Sequence, residues 1–134
     1  MKEINPYETI RGRQFEIWKN APNPMLTFVK KIDVTRLVRI SKKKHLKFNM
    51  LLDYCIGKAA LQQKEFYLLP VGDKLMQFDK IAINTMVKNR MGEVSSCDIE
   101  FQGDFESYCR DYMKYTTEVA MSCTDRDLSE ECMV

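Results

Sequence analysis

Five cysteines, one histidine and scattered carboxylates are the groups here that could ligate metal, exchange disulfides, attack a carbonyl or move a proton. Cys55, Cys97, Cys109, Cys123 and Cys132 are odd in number and contain no C-x-x-C pair, so they read as reduced thiols rather than a disulfide framework or redox motif. Zinc would need several ligands at fixed spacing, and His45 is the sole histidine, so no metal site is expected. A serine or cysteine nucleophile generally needs a nearby base, commonly histidine. His45 lies in Lys42-Lys43-Lys44-His45-Leu46-Lys47, read as a solvated connection that offers nothing to orient an imidazole. Asp98 and Glu100 share one strand face, with Asp104, Glu106 and Asp111 on the helix after it, which is the layout of a solvated face. No Gly-rich phosphate loop or acidic metal cluster is present. The residue types alone therefore assign no catalytic residue.

The elements that would position any site follow from periodicity. Residues 9–20 read as a short helix ended by Ala21-Pro22-Asn23-Pro24, and residues 25–32 as a strand with Leu26 and Phe28 on one face. Asp33 looks like the N-cap of a helix carrying Val34, Leu37, Val38 and Ser41. Phe48, Leu51, Leu52, Cys55, Ile56, Ala59 and Ala60 then fall at i, i+3, i+4 and onward, a broad apolar stripe that predicts a helix packed on a sheet. Residues 66–71 and 74–78 flank Gly72-Asp73 as a hairpin. Ile81, Ile83, Thr85 and Val87 alternate with Ala82, Asn84, Met86 and Lys88, giving a strand with two chemically different faces. Residues 94–101 form a further strand, and Asp104 caps a helix with Tyr108, Tyr112 and Thr116 on one side. The order predicts a single α+β domain over 1–134, with a mainly antiparallel sheet covered by helices on one side.

Composition bounds the function. At 45% hydrophobic and 30% charged residues the 134-residue chain can build a core. Twenty-one Lys and Arg against 19 Asp and Glu leave +2, which gives no overall charge argument for nucleic acid or membrane as partner. No apolar run approaches the ~20 residues of a membrane span, and Met1-Lys2-Glu3-Ile4 does not open a signal peptide, so a cytoplasmic location is expected.

Several segments, taken in order, carry a likeness: Arg11-x-Arg13-x-Phe15-Glu16-Ile17-Trp18, Pro22-x-Pro24-x-Leu26, Lys31-Ile32-Asp33-Val34-Thr35, Lys44-His45-Leu46-Lys47-Phe48, Gly72-Asp73-Lys74-Leu75, and Asp104-Phe105. Together they resemble the N-terminal portion of the chloramphenicol acetyltransferases. The resemblance implies an incomplete version of that family's fold, a trimer of subunits, acetyl-CoA as co-substrate and a small-molecule hydroxyl acceptor. It implies that Ile17, Trp18, Pro22, Pro24, Leu26, Asn84 and Met86 line the acceptor pocket. It implies that Arg11 matches an arginine that ion-pairs with an aspartate of the catalytic loop.

In the family a C-terminal His-His-x-x-x-Asp-Gly motif supplies the general base, and a downstream serine helps hold the oxyanion. Neither motif nor following strands occur here, so this chain alone is expected to be inactive and to bind no cofactor by itself. Ile17 replaces an aromatic, Pro24 stands where many members carry a small or thiol side chain, and Ser95 falls near an aromatic position of drug-acetylating members. A flat nitrophenyl ring thereby loses stacking surfaces worth ~0.5–1.5 kcal/mol each, and chloramphenicol is not the expected acceptor. An uncovered strand edge predicts self-association, exchange of strands or helices between copies being one form of it. Two other readings stay open: a non-catalytic, self-associating remnant, and an unrelated small α+β binding module with strand 80–88 as one wall of a groove.

Overall fold

The computed structural model describes residues 1–134. It contains five strands and four helices: β1 (Lys2–Ile4), α1 (Gly12–Lys19), α2 (Thr35–Lys44), α3 (Phe48–Ala60), β2 (Leu68–Val71), β3 (Lys74–Gln77), β4 (Ile81–Lys88), β5 (Val94–Phe101) and α4 (Phe105–Ser122). The fold is α+β with antiparallel pairing, divided into a three-stranded sheet β1-β3-β2 and a two-stranded ribbon β4-β5.

The β2–β3 hairpin turns at Gly72-Asp73, where Gly72 has φ 58° and Asp73 stays at negative φ. That is the type II′ arrangement, whose twist matches the flanking strands and which favours glycine at its first central position. The two-residue loop fixes the register, so Pro70 faces Leu75 and Leu68 faces Gln77. A short 3-10 turn, Lys64–Tyr67, replaces the first residues expected in β2.

The ribbon carries the larger core. Along β5, Ser95, Cys97, Ile99 and Phe101 point one way and are buried. Cys97, Ile99 and Phe101 meet Met50 of α3 and Tyr108, Tyr112 and Val119 of α4. Phe101 packs edge-on against Tyr108 at 5.1 Å, and Tyr54 against Phe105 at 4.9 Å. Asp104 caps α4 as expected, its carboxylate accepting from the Ser107 amide at 2.8 Å.

Four expectations are corrected. Residues 25–32 form no strand, because nothing within the chain pairs with them: no backbone amide or carbonyl from 22 through 33 has a backbone partner. Its place in the strand count is taken by β1, three residues that pair antiparallel with β3. The triple lysine is not a loop but the last turn of α2, where cations oppose the negative end of the helix dipole. His45 then ends that helix in the left-handed region, φ 54°. Finally, the buried stripe of α3 is Met50, Leu51, Gly57 and Ala60, while Cys55 and Ile56 are exposed. Gly57 explains the rotation, since a Cβ there would lie 2.8 Å from the Phe101 ring, so the helix approaches the ribbon at its glycine.

Residues 123–134 return along the outer face of the ribbon. Arg126 bridges to Cys97 on β5 and Met133 to Ile81 on β4, so the segment fastens to both edges. Asp98 anchors it, accepting from the Leu128 amide at 2.9 Å, and the Arg126 side chain reaches the Asp98 carbonyl. The guanidinium also stacks 3.9 Å above the Tyr115 ring. Asp98 is thus 3% exposed rather than part of a solvated face.

Candidate functional site

The start of α1 is set by a compact turn. The Asn5 side chain accepts from the Tyr7 amide, and the Thr9 hydroxyl donates to the Pro6 carbonyl at 2.7 Å while accepting from the Arg11 amide at 3.2 Å. Gly12 follows where any Cβ would stand 2.8 Å from the Pro6 carbonyl oxygen, so close backbone approach requires glycine. This turn aims one face of α1, recurring every three to four residues as Arg11, Gln14, Phe15, Trp18 and Lys19, at the β2–β3 hairpin. The hairpin answers with Leu68 and Pro70, two apart on β2, and with Leu75, the cross-strand neighbour of Pro70. Pro24 closes one end of an open hollow of about 800 Å³.

Its lining is mainly apolar, with cations at the edge and no carboxylate. Phe15 is buried and forms the floor, while Trp18 is 39% exposed. Lys19 is held by Glu16 at 3.1 Å and lies over the Phe15 ring at 5.6 Å. Arg11 has no carboxylate within salt-bridge distance. A drug-sized molecule with an apolar body and a hydrogen-bond-accepting or anionic group suits such a surface.

Of the residues singled out by sequence, Arg11, Trp18 and Pro24 converge in this hollow. Ile17 points away and is 58% exposed, and Pro22 and Leu26 lie exposed on the unpaired segment before α2. Asn84 and Met86 belong to the other sheet. Asn84 donates to both Ser96 and Asp98 at 2.6 Å. Met86 lines a second hollow of about 580 Å³, between the start of α3, the end of β4 and α4, with Lys47, Asn49, Lys88 and Tyr112. Ser95 is buried and bonded to Asn89, away from either hollow. Sequence reading missed Gln14, Phe15, Leu68, Pro70 and Leu75 as lining residues. The hairpin symmetry about Gly72-Asp73 would have placed the last three on one face.

His45 is exposed at the end of α2 and absent from both linings. Two further titratable groups, Asp53 and Tyr108, lie under the ribbon. Burial raises the Asp53 carboxyl above its ordinary range, partly offset by a hydrogen bond from Thr85. Burial, with Asp53 nearby, pushes the Tyr108 phenol far up. Neither the Asp53 Oδ2 nor the Tyr108 hydroxyl has a partner. These groups support the core and touch neither hollow.

A family model described as chloramphenicol acetyltransferase matches residues 2–129. Among solved structures, one described as a chloramphenicol acetyltransferase superposes with a TM-score of 0.71 at 18% identity, covering 84% of this chain and 54% of its own. The chain therefore spans about half the length of that relative. No curated protein matches.

Proposed function

The chain belongs to the chloramphenicol acetyltransferase family, and from that premise we propose that it forms the acceptor wall of an acetyl-CoA-dependent O-acyltransferase. The observation that carries this reading is the hollow in which Arg11, Trp18 and Pro24 converge against Leu68, Pro70 and Leu75. The acceptor is a small alcohol whose apolar body lies between Trp18 and the hairpin. Ile17, Pro22 and Leu26 would complete the pocket once the segment before α2 is ordered against a neighbouring copy. Asn84 and Met86 would then face acceptor from a different copy than Trp18 does.

The reaction needs a base to take the alcohol proton as oxygen attacks the thioester carbonyl, donors for the resulting oxyanion, and expulsion of the coenzyme thiolate. The only imidazole among these 134 residues is that of His45, exposed and outside the hollow. We assign the base to polypeptide beyond these residues, with Arg11 free to pair with an aspartate of the segment that carries it. Membership of the family argues against an unrelated binding module. Self-association into a homo-oligomer, with the family trimer as its expected form, is favoured by the exposed segment 25–32. Free thiols fit a reducing, cytoplasmic setting, and no helix is long and apolar enough to cross a membrane.

Thiol release from acetyl-CoA with a panel of hydroxyl acceptors tests the reading. The 134-residue chain alone should show no turnover, and supplementing it with a family segment bearing the His-His-x-x-x-Asp-Gly motif should produce it. Trp18→Ala should then raise the acceptor KM about tenfold, ~1.4 kcal/mol, with the acetyl-CoA KM unchanged. Turnover by the chain alone that disappears in His45→Ala would overturn the assignment of the base.

A further inference from the structure

The core beneath the ribbon holds polar atoms that its apolar packing does not account for. Tyr108 is 2% exposed and its hydroxyl has no partner, and the Asp53 Oδ2 is equally sealed and unpartnered. A hydroxyl and a carboxyl oxygen that lose their water on folding normally find protein partners instead. Here the two enter one core from different helices, Asp53 from α3 and Tyr108 from α4. The Tyr54 ring, next to Asp53 in the chain, stands 6.0 Å from the Tyr108 ring. Asp53 is near enough for its charge to add to the rise of the Tyr108 phenol.

Thr85 of β4 links this pair to the second hollow. It is 8% exposed, and its side chain engages both the Asp53 carboxyl and the Tyr112 phenol. Tyr112 lies one turn beyond Tyr108 on the same face of α4, with ring centroids 6.0 Å apart. It lines the hollow of about 580 Å³ together with Lys47, Phe48 and Met121. The Lys47 ammonium stands 5.8 Å over its ring. The titratable groups facing Asp53 are the two phenols of α4, with the Cys97 thiol of β5 and the Cys109 thiol of α4 beside them. No charged side chain of α2, α4 or the ribbon sets its environment, which is burial opposed by Thr85.

We propose that Asp53, Thr85, Tyr108 and Tyr112 form a proton-operated latch between α3 and α4 that sets the shape of the second hollow. A neutral Asp53 uses Thr85 and leaves the Tyr108 hydroxyl free, the arrangement in the structure. When the proton leaves to solvent, Oδ2 becomes a pure acceptor and draws the Tyr108 O–H as its donor. Both unpartnered atoms are then satisfied at once. The rotation of α4 that brings Tyr108 to Asp53 also carries Tyr112, and with it one wall of the hollow. The latch lies among side chains packed within this chain, so it does not depend on what covers the hollow. It rests neither on acyl transfer nor on the hollow beside Trp18.

NMR titration of the 134-residue chain tests this, followed at the Asp53 carboxyl carbon, the Tyr112 ring and the Met121 methyl. The three signals should move together, with one midpoint above the 3.8 of an ordinary aspartate. In Asp53→Asn, neutral at every pH, the Tyr112 and Met121 signals should stay at their low-pH positions. Tyr108→Phe removes the donor to the ionised form and should tighten proton binding at Asp53 about tenfold. Circular dichroism checks that both variants are folded. Tyr112 and Met121 signals that ignore the Asp53 midpoint, or that keep it in Asp53→Asn, overturn the latch. An Asp53 proton affinity unchanged in Tyr108→Phe overturns the pairing of the two unpartnered groups.

Discussion

Asp53 brings a carboxyl beneath the ribbon with one oxygen unpartnered, and its raised pKa has a definite sign for stability. The native state keeps the proton in a window above the ordinary value of 3.8, where the unfolded chain has released it. Stability therefore falls as pH rises through that window, and the deficit persists at neutral pH. Asp53→Asn should stabilise the fold at pH 7 by about 1 kcal/mol, the low end for an unpartnered group because the side chain is only half-buried. It should change little at pH 3, and urea unfolding at the two pH values measures both. The thiols differ just as sharply. Burial pushes Cys97 up to about 11 and raises Cys132 as well, while Cys55 is exposed on α3. A thiol reagent at neutral pH should modify Cys55 first and reach Cys97 and Cys132 only as the protein unfolds, as peptide mapping after timed labelling would show.

At the scale of elements, two close contacts set geometry that periodicity does not encode. Gly57→Ala would drive a methyl into the Phe101 ring, itself wedged between Tyr54 and Tyr108. A loss of about 1–3 kcal/mol is expected in chemical unfolding. His45→Gly should act oppositely, relieving a left-handed φ of 54° at the end of α2 by about 1 kcal/mol. The same contacts explain what the sequence could tell. The hairpin was legible because Gly72-Asp73 dictates a turn and the turn dictates register. The existence of α3 was legible from its apolar content, but its phase was not. Leu52, Cys55 and Ile56 compete with Met50 and Ala60 until Gly57 chooses the side that can approach the ribbon. Residues 25–32 have strand composition and no strand, because pairing requires a partner that composition cannot supply. Of the residues lining the hollow, the family likeness names Trp18 and Pro24 for an acceptor pocket and Arg11 only for an ion pair. Leu68, Pro70 and Leu75 follow from the hairpin register alone. The burial of Asp98 is not legible in the sequence because the strap that covers it shows no periodicity of its own.

Across the whole molecule, a chain that is nearly neutral in sum is uneven along its length: residues 25–47, which include most of the segment without backbone partners, sum to +7 and residues 98–134 to −7. The hollow lined by Arg11, Trp18 and Pro24 sits against the β2–β3 sheet and not against the ribbon. The account stands or falls on that hollow being a binding surface. Trp18 is the chain's only tryptophan, which makes its fluorescence a reporter of the site and of nothing else. Titrating the 134-residue chain with apolar alcohols should give a saturable change in Trp18 emission that weakens at least tenfold in Pro24→Arg, a substitution at an exposed position that blocks the hollow without touching the core. Emission that drifts linearly with alcohol, identically in both proteins, would contradict the account.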